Sequence, residues 1–217
     1  MKRSPAWEGI KKIDFTLAYD YAVIGDGTVP DTVKRITVPT LVMDGEKSMD
    51  FIHPTADRLA EVLPRYKRWA DELIFQAVQA LPPGEVTRER PTLFKTILNT
   101  LNHIHVVDLV WQAHLEGREH GISALNAVLH ADVADLWRAQ LALDDWYVAL
   151  SDSLSDQARG EMVQFQFVDG KKGTMSRGEI LMHVVNHTTY HRGWVADLFF
   201  QIPARPPTTD LPVFLRG

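Results

Sequence analysis

Four long stretches with apolar residues at helical spacing dominate the chain from residue 65 onward. One of them places apolar side chains at the i, i+3, i+4 positions Phe94, Ile97, Leu98, Leu101, Ile104 and Val107. The pattern predicts helices over residues 66–81, 93–116, 131–154 and 176–200. With no second set of strands for these helices to cover, their apolar faces must cover each other, so the sequence predicts an all-α four-helix bundle.

The residues around these stretches indicate where the helices begin and end. Pro82-Pro83-Gly84 closes the first helix, and Gly117 lies just past the second. Ser176 and Glu179 have the spacing of a capping box at the start of the last helix. Before that helix, the alternating segment MVQFQFVDGKKGTM around Asp169-Gly170 predicts a small β-hairpin.

The first 64 residues follow a different pattern. The run VPTLVM (residues 38–43), ended by Asp44-Gly45, predicts a buried strand, and residues 54–63 predict a short helix. We therefore expect two parts, an N-terminal extension over residues 1–64 with one or two short strands or helices, and a helical bundle over 65–217.

Composition narrows the classes of function. The chain has 217 residues, a formal net charge of −5 and no cysteine. The charge does not favour nucleic acid as a partner, and the lack of cysteine excludes disulfides, thiolate metal ligands and a cysteine nucleophile. No apolar run approaches the roughly 18 residues of a membrane span, and the first residues lack a signal-peptide core. We expect a cytoplasmic protein without a membrane partner.

Three of the nine histidines fall on the last predicted helix, in the segment HVVNHTTYHRG. His183, His187 and His191 are spaced i, i+4, i+8 and so share one face. Eight residues rise about 12 Å along a helix, so all three cannot bind one ion, although either adjacent pair can. A third ligand must then come from elsewhere, and His103 is the best candidate because its helix carries the longest apolar stripe. His105 points to another side of that helix.

Spacing alone does not decide that these histidines bind metal, because a histidine on a partly apolar helix face is also commonly a hydrogen-bonded core residue. The segment lacks the glutamate of the HExxH motif, which disfavours a zincin-type protease.

Longer strings carry a resemblance to a known family. The segments LNHIHVVDLVW (101–111) and HVVNHTTYHRGWV (183–195) resemble the DinB family, as do YKRWADELIFQAVQALP (66–82) and TTDLPVFL (208–215). All four occur in the order typical of the family. The resemblance covers about residues 61–217.

The resemblance implies a four-helix bundle with three metal-binding histidines and an open coordination position, usually as a dimer. Matched residue by residue, the ligands are His103, His187 and His191. The implied cofactor is a divalent ion, Zn or Ni first, with Fe and Mn as alternatives. The implied activity is a metal-dependent reaction on a small molecule, either S-transfer from a low-molecular-weight thiol or hydrolysis. The alternative is a non-catalytic metal-binding stress or interaction protein.

Several further residues are candidates to line a pocket near the metal. His183 lies one turn from the ligands, Trp111 follows the first motif, and Tyr190 and Arg192 flank His191. Arg192 suits an anionic substrate group, although an ion pair is an equal alternative. We interpret Asp144-Asp145 as a solvated face rather than an acid–base pair.

The N-terminal stretch over about residues 7–64 resembles a late fragment of an α/β-hydrolase, in the strings LAYDYAVIGDGTVPD and ITVPTLVMDGEKSMDFIHPTADRLAEVLP. The chain contains no GxSxG nucleophile elbow, since TMSRG at 174–178 has threonine in place of the first glycine. A serine hydrolase is therefore not expected.

Overall fold

A computed structural model describes residues 52–216, with side chains from residue 62 onward. The predicted strand at 38–43 and most of the hydrolase-like stretch lie outside the described residues. Within them the elements are α1 (Ile52–Gln79), α2 (Ile97–Leu115), α3 (Val133–Ser153), α4 (Asp156–Arg159), β1 (Met162–Gln166), β2 (Lys172–Ser176), α5 (Arg177–Phe199) and α6 (Leu211–Phe214).

The first helix differs from the prediction. The expected helices at 54–63 and 66–81 form one continuous α1 with Pro64 inside it. A proline within a helix costs about 3 kcal/mol or more through its missing N–H and its ring. Packing offsets that cost here, because the Tyr66 ring contacts Phe214, and Leu63 and Leu211 pack against the same apolar cluster. The proposed division of the chain near residue 64 stays a prediction.

The second helix begins four residues later than predicted. Lys95 has a positive φ of 65°, and Thr96 caps the helix by accepting a hydrogen bond from the Asn99 N–H at 2.9 Å. At the other end the N–H groups of Gly117 and Arg118 donate to the carbonyls of His114 and Ala113. This is a Schellman motif with Gly117 at its left-handed position (φ 69°), so the predicted stop is confirmed.

The start of α5 and the hairpin before it are also confirmed. Ser176 and Glu179 form both hydrogen bonds of the capping box. Strands β1 and β2 pair antiparallel, with Phe165 opposite Gly173, and Gly170 (φ 88°) lies in the turn. The hairpin therefore leads straight into the helix that carries the histidine motif.

The core confirms the four-helix bundle. One cluster joins α1, α2, α3 and α5 through Ile74, Leu101, Leu136 and Leu198, each at most 2% exposed. A second joins α2, α3, α5 and the hairpin through Val107, Leu143, Phe165 and Ile180. No helix in the described part of the chain is long and apolar enough to cross a membrane.

Candidate metal centre

Three imidazoles from two helices converge between the two apolar clusters. His103 comes from α2, while His187 and His191 come from successive turns of α5. The His103 Nε2 lies 3.2 Å from the Nε2 of His187 and 3.2 Å from the Nε2 of His191. The candidate ligand atoms of the three residues all lie within 4.8 Å of one another, so the group could hold a metal ion.

These separations fit a first-row divalent ion. Two nitrogens bound at about 2.1 Å with tetrahedral angles lie about 3.4 Å apart. The two Nε2 pairs are within a few tenths of an ångström of that spacing. The donor set is three neutral nitrogens, which suits the imidazole-binding transition metals rather than Mg or Ca.

A backbone carbonyl fixes which nitrogen of His103 is available. The His103 Nδ1 lies 2.7 Å from the Leu125 carbonyl oxygen, which can only accept, so Nδ1 carries the proton and donates. The lone pair of His103 is therefore on Nε2, the atom that faces the other two histidines. The Nδ1 atoms of His187 and His191 are buried without a hydrogen-bond partner among the described residues. Three Nε2 atoms thus form the converging face of the group.

Burial keeps these imidazoles neutral. Burial, helped by the neighbouring charges of His191 and His103, lowers the pKa of His187 to about 3. Burial likewise lowers the pKa of His191 to about 4 and that of His103 below its usual value. A neutral imidazole offers a metal its lone pair at physiological pH without first losing a proton.

Aromatic rings surround the histidines. Phe94 stacks on His103 with ring centroids 4.3 Å apart and meets the His191 ring edge-on at 5.6 Å. Tyr190 and Trp194 pack on His191 at 5.0 and 4.7 Å. Phe94 lies in the loop before α2. Its spacing fits the apolar stripe of the predicted helix, so no sequence signal indicates this role.

The pocket candidates occupy three different environments. His183 is half-buried 5.9 Å from the His187 ring and packs against the buried Trp111 at 4.9 Å. Tyr190 is 60% exposed, so its ring covers His191 at the protein surface. His183 and Tyr190 therefore lie beside the histidine group, and Trp111 lies on the far side of His183.

Arg192 is 2% exposed and faces α1. Its guanidinium forms an ion pair with Asp71 at 3.2 Å and donates to the Tyr66 hydroxyl at 2.8 Å. Both partners come from α1, so the contact ties the helix that carries two of the histidines to its neighbour.

Arg192 and Asp71 belong to a buried ion cluster that sequence reasoning missed, formed by Lys67, Asp71, Asp108, Asp144 and Arg192. The Lys67 ammonium is 1% exposed and contacts Asp71 (3.0 Å), Asp108 (2.8 Å) and Asp144. The solvated-face interpretation is therefore wrong for Asp144, which is 1% exposed, and holds for the exposed Asp145, which pairs with Arg68. From sequence alone, a lysine within an amphipathic helix is predicted to lie at the surface. The burial of Lys67 becomes evident only from its ion pairs with carboxylates of α1, α2 and α3.

Gln140 extends this cluster. Its amide donates to Asp108 and Asp144, each at 2.9 Å, while its carbonyl oxygen accepts from His105 Nδ1 at 2.9 Å. His105 therefore points towards α3, away from the group of His103, His187 and His191, as predicted.

The fold and the histidine group together define a class of four-helix bundle proteins with three converging histidines that could hold a metal ion. A family model described as the DinB family matches residues 55–217, and the chain belongs to this family. The chain is also similar to Protein DinB from Bacillus subtilis (strain 168), at 27% identity over 162 residues, which cover 70% of this chain and 91% of the relative. The family resemblance expected over residues 61–217 is thereby confirmed.

Proposed function

We propose that this protein is a metal-dependent enzyme that acts on a small molecule, with His103, His187 and His191 as the ligands of a divalent ion. The observation that carries the proposal is the convergence of three Nε2 atoms, one of them set in its tautomer by the Leu125 carbonyl. A hydrogen bond to the second ring nitrogen is the usual way in which proteins orient a metal-binding histidine.

The reaction we propose is S-transfer from a low-molecular-weight thiol or, as its alternative, hydrolysis. A divalent ion in such a site, when bound, supplies Lewis-acid chemistry and lowers the pKa of a water or thiol that approaches it. The chain's own residues orient the ligands and restrict water. Phe94 covers one side of His103 and His191, and the exposed Tyr190 borders the surface approach.

For the metal we propose Zn or Ni, with Fe and Mn as alternatives. Three imidazoles without a carboxylate favour the ions that prefer nitrogen ligands, and Mn prefers oxygen.

Metal analysis of the purified protein, repeated after chelation and reloading with Zn or Ni, tests the ligand set. We expect about one ion per chain in the wild type and a loss of at least about tenfold in affinity in His187→Ala, which removes one of three direct ligands. His183→Ala is the matched control, one turn away on the same helix, and should retain the ion. A wild-type protein that binds neither metal, or a larger loss in His183→Ala than in His187→Ala, would overturn this assignment.

An activity assay of the metal-loaded protein separates the reaction classes. Turnover of an electrophile such as a chloronitrobenzene only with an added thiol supports S-transfer, and ester turnover without a thiol supports hydrolysis. A loaded protein inactive in both assays would instead favour the non-catalytic metal-binding role.

We further propose a homodimer located in the cytoplasm. Large apolar side chains are exposed on the described surface, among them Leu93 (74%) and Phe200 (72%), and such exposure is typical of interaction surfaces when it is contiguous. Light scattering of the purified protein measures the oligomeric state directly.

A further inference from the structure

A cavity lies between the hairpin and the loop that follows α2. Its volume is about 620 Å³, within the range of small-molecule sites. None of the three metal-binding candidates lines it. Its nearest histidine on α2, His114, is eleven residues from His103, or about 16 Å along the helix axis.

Four aromatic rings follow one another along the wall of this cavity. The ring of His120 lies 5.5 Å from that of His114, His114 lies 5.4 Å from Phe165, and Phe165 lies 5.0 Å from Phe167. Phe167 is 46% exposed although it is a large apolar residue. A row of rings of this kind offers stacking and edge contacts to a flat ligand.

The hairpin is shaped to hold one of these rings. Phe165 lies opposite Gly173, and a Cβ atom at position 173 would come within 2.5 Å of the Phe165 ring. The ring therefore lies across the bare backbone of the glycine, which no other residue allows without displacing it. The aromatic wall thus depends on a glycine in the middle of a strand, where glycine is otherwise unfavourable.

The polar groups at the cavity are mainly donors and cations. Lys172 lines it and has no ion-pair partner within residues 52–216, whereas the neighbouring Lys171, which does not line it, pairs with Asp169 at 2.7 Å. The His120 Nδ1 accepts from the Ile122 N–H at 2.9 Å, so the proton of its neutral ring is on Nε2 and can be donated. Arg118 and Glu119 also line the cavity, so its lining side chains carry two cations, Arg118 and Lys172, and one carboxylate; Arg118 is paired with Glu116 beside the cavity.

We propose that this cavity is a second small-molecule site, separate from the metal centre, which takes an aromatic carboxylate. The flat ring packs along His114, Phe165 and Phe167, and the carboxylate accepts from Lys172 and from the Nε2–H of His120. The site goes beyond the proposed reaction, because it needs neither the ion nor its ligands.

Titration of the full chain with 2-naphthoate, followed by calorimetry and by amide NMR shifts, tests the proposal. We expect shifts confined to the hairpin and residues 114–122, and equal affinity in chelated and metal-loaded protein. Cyclohexane carboxylate and 2-naphthalenemethanol should bind more weakly, because each lacks either the flat ring or the charge.

Two variant pairs locate the ligand. Phe167→Ala should weaken binding about fivefold, and Lys172→Gln about threefold, in line with one ring contact and one exposed charge contact. Phe200→Ala and Lys171→Gln are the matched controls and should bind as the wild type does. Gly173→Ala should also weaken binding, with the Phe165 signals displaced.

Three results would overturn the proposal. The first is the absence of binding at about 1 mM 2-naphthoate. The second is binding that disappears on chelation or in His187→Ala, and the third is an equal loss of affinity in the variants and in their controls. The second result would place the carboxylate on the metal instead of in the cavity.

Discussion

Lys67 lies in an unusual environment for a lysine. It is fully buried, and its ammonium contacts three carboxylates that come from three helices. With Arg192 the cluster contains two cations and three carboxylates, so its formal charge is −1. Burial raises the pKa of Asp144 and of Asp108 above the ordinary range, and the neighbouring carboxylates raise both pKa values further.

This charge balance predicts unequal effects of two substitutions. Lys67→Met removes a cation and leaves buried carboxylates uncompensated, which should lower the free energy of unfolding by about 3–5 kcal/mol. Asp144→Asn removes the excess negative charge and should cost clearly less. Chemical denaturation measures both, with the exposed Asp145→Asn as the reference at about 0–1 kcal/mol. Equal losses in Lys67→Met and Asp145→Asn would contradict the assignment.

At the scale of the elements, the orientation of α5 matters most for the candidate site, because two of the three candidate ligands, His187 and His191, lie on this helix. Arg192 follows His191 directly and binds Asp71 and Tyr66 of α1. Successive side chains on a helix point about 100° apart, so fixing Arg192 against α1 fixes the direction of His191 towards α2. Arg192 is therefore a positioning residue for the histidine group.

We expect Arg192→Gln to weaken metal affinity by about tenfold, the lower end of the range for residues that orient ligands. Competition with a chelator measures the affinity, and circular dichroism checks that the bundle is retained. Arg205→Gln is the control, since Arg205 is exposed and lines the same surface cavity as Arg192. An unchanged affinity in a folded Arg192→Gln protein would show that α5 is oriented by its apolar packing alone.

The start of α5 yields a separate prediction. Ser176→Ala removes the hydroxyl that accepts from the Glu179 N–H and should lower the free energy of unfolding by about 1 kcal/mol. Thermal unfolding with and without metal measures the loss. Because the cap lies about two turns before His183, metal affinity should stay unchanged, and a fall in affinity would contradict this account.

The elements also show where sequence reasoning succeeds. The capping box, the Gly117 stop and the hairpin are local features, so their residues predict them directly. The predicted start of α2 was wrong, because Phe94 has the spacing of the helix but lies in the preceding loop and stacks on His103. The ion cluster could not be predicted, because its members are separated by up to 125 positions and only the packed bundle brings them together.

At the scale of the whole molecule, six histidines among the residues that the structure describes make the stability depend on pH. The pKa is lowered by burial in His103, His105, His114, His183, His187 and His191. A lowered native pKa gives stability that is present in full above the unfolded value of about 6.5 and is lost as the pH falls through the native value. The raised pKa of Asp144, about 7, and the raised pKa of Asp108 act in the opposite direction, because each of these carboxyls costs stability as the pH rises, but fewer groups contribute.

The free energy of unfolding of the metal-free protein should therefore rise from pH 4 to pH 6.5. Denaturant titrations at several pH values measure it, and Asp144→Asn should make the rise steeper by removing one opposing group. Metal at one hundred times its dissociation constant should add about 2.7 kcal/mol. A stability that is flat or falling over this pH range would contradict the burial of the histidines.

Four amphipathic helices with similar leucine-rich and valine-rich stripes can, on apolar packing alone, be displaced against each other by a turn at small cost. Lys67 removes that freedom. A displacement of one turn, about 5.4 Å, would carry its ammonium beyond reach of the carboxylates on α2 and α3, so that Asp108 and Asp144 would be buried without this counter-charge. The ion cluster therefore favours one register of the four helices over registers shifted by a turn. In that register His103 lies level with His187 and His191.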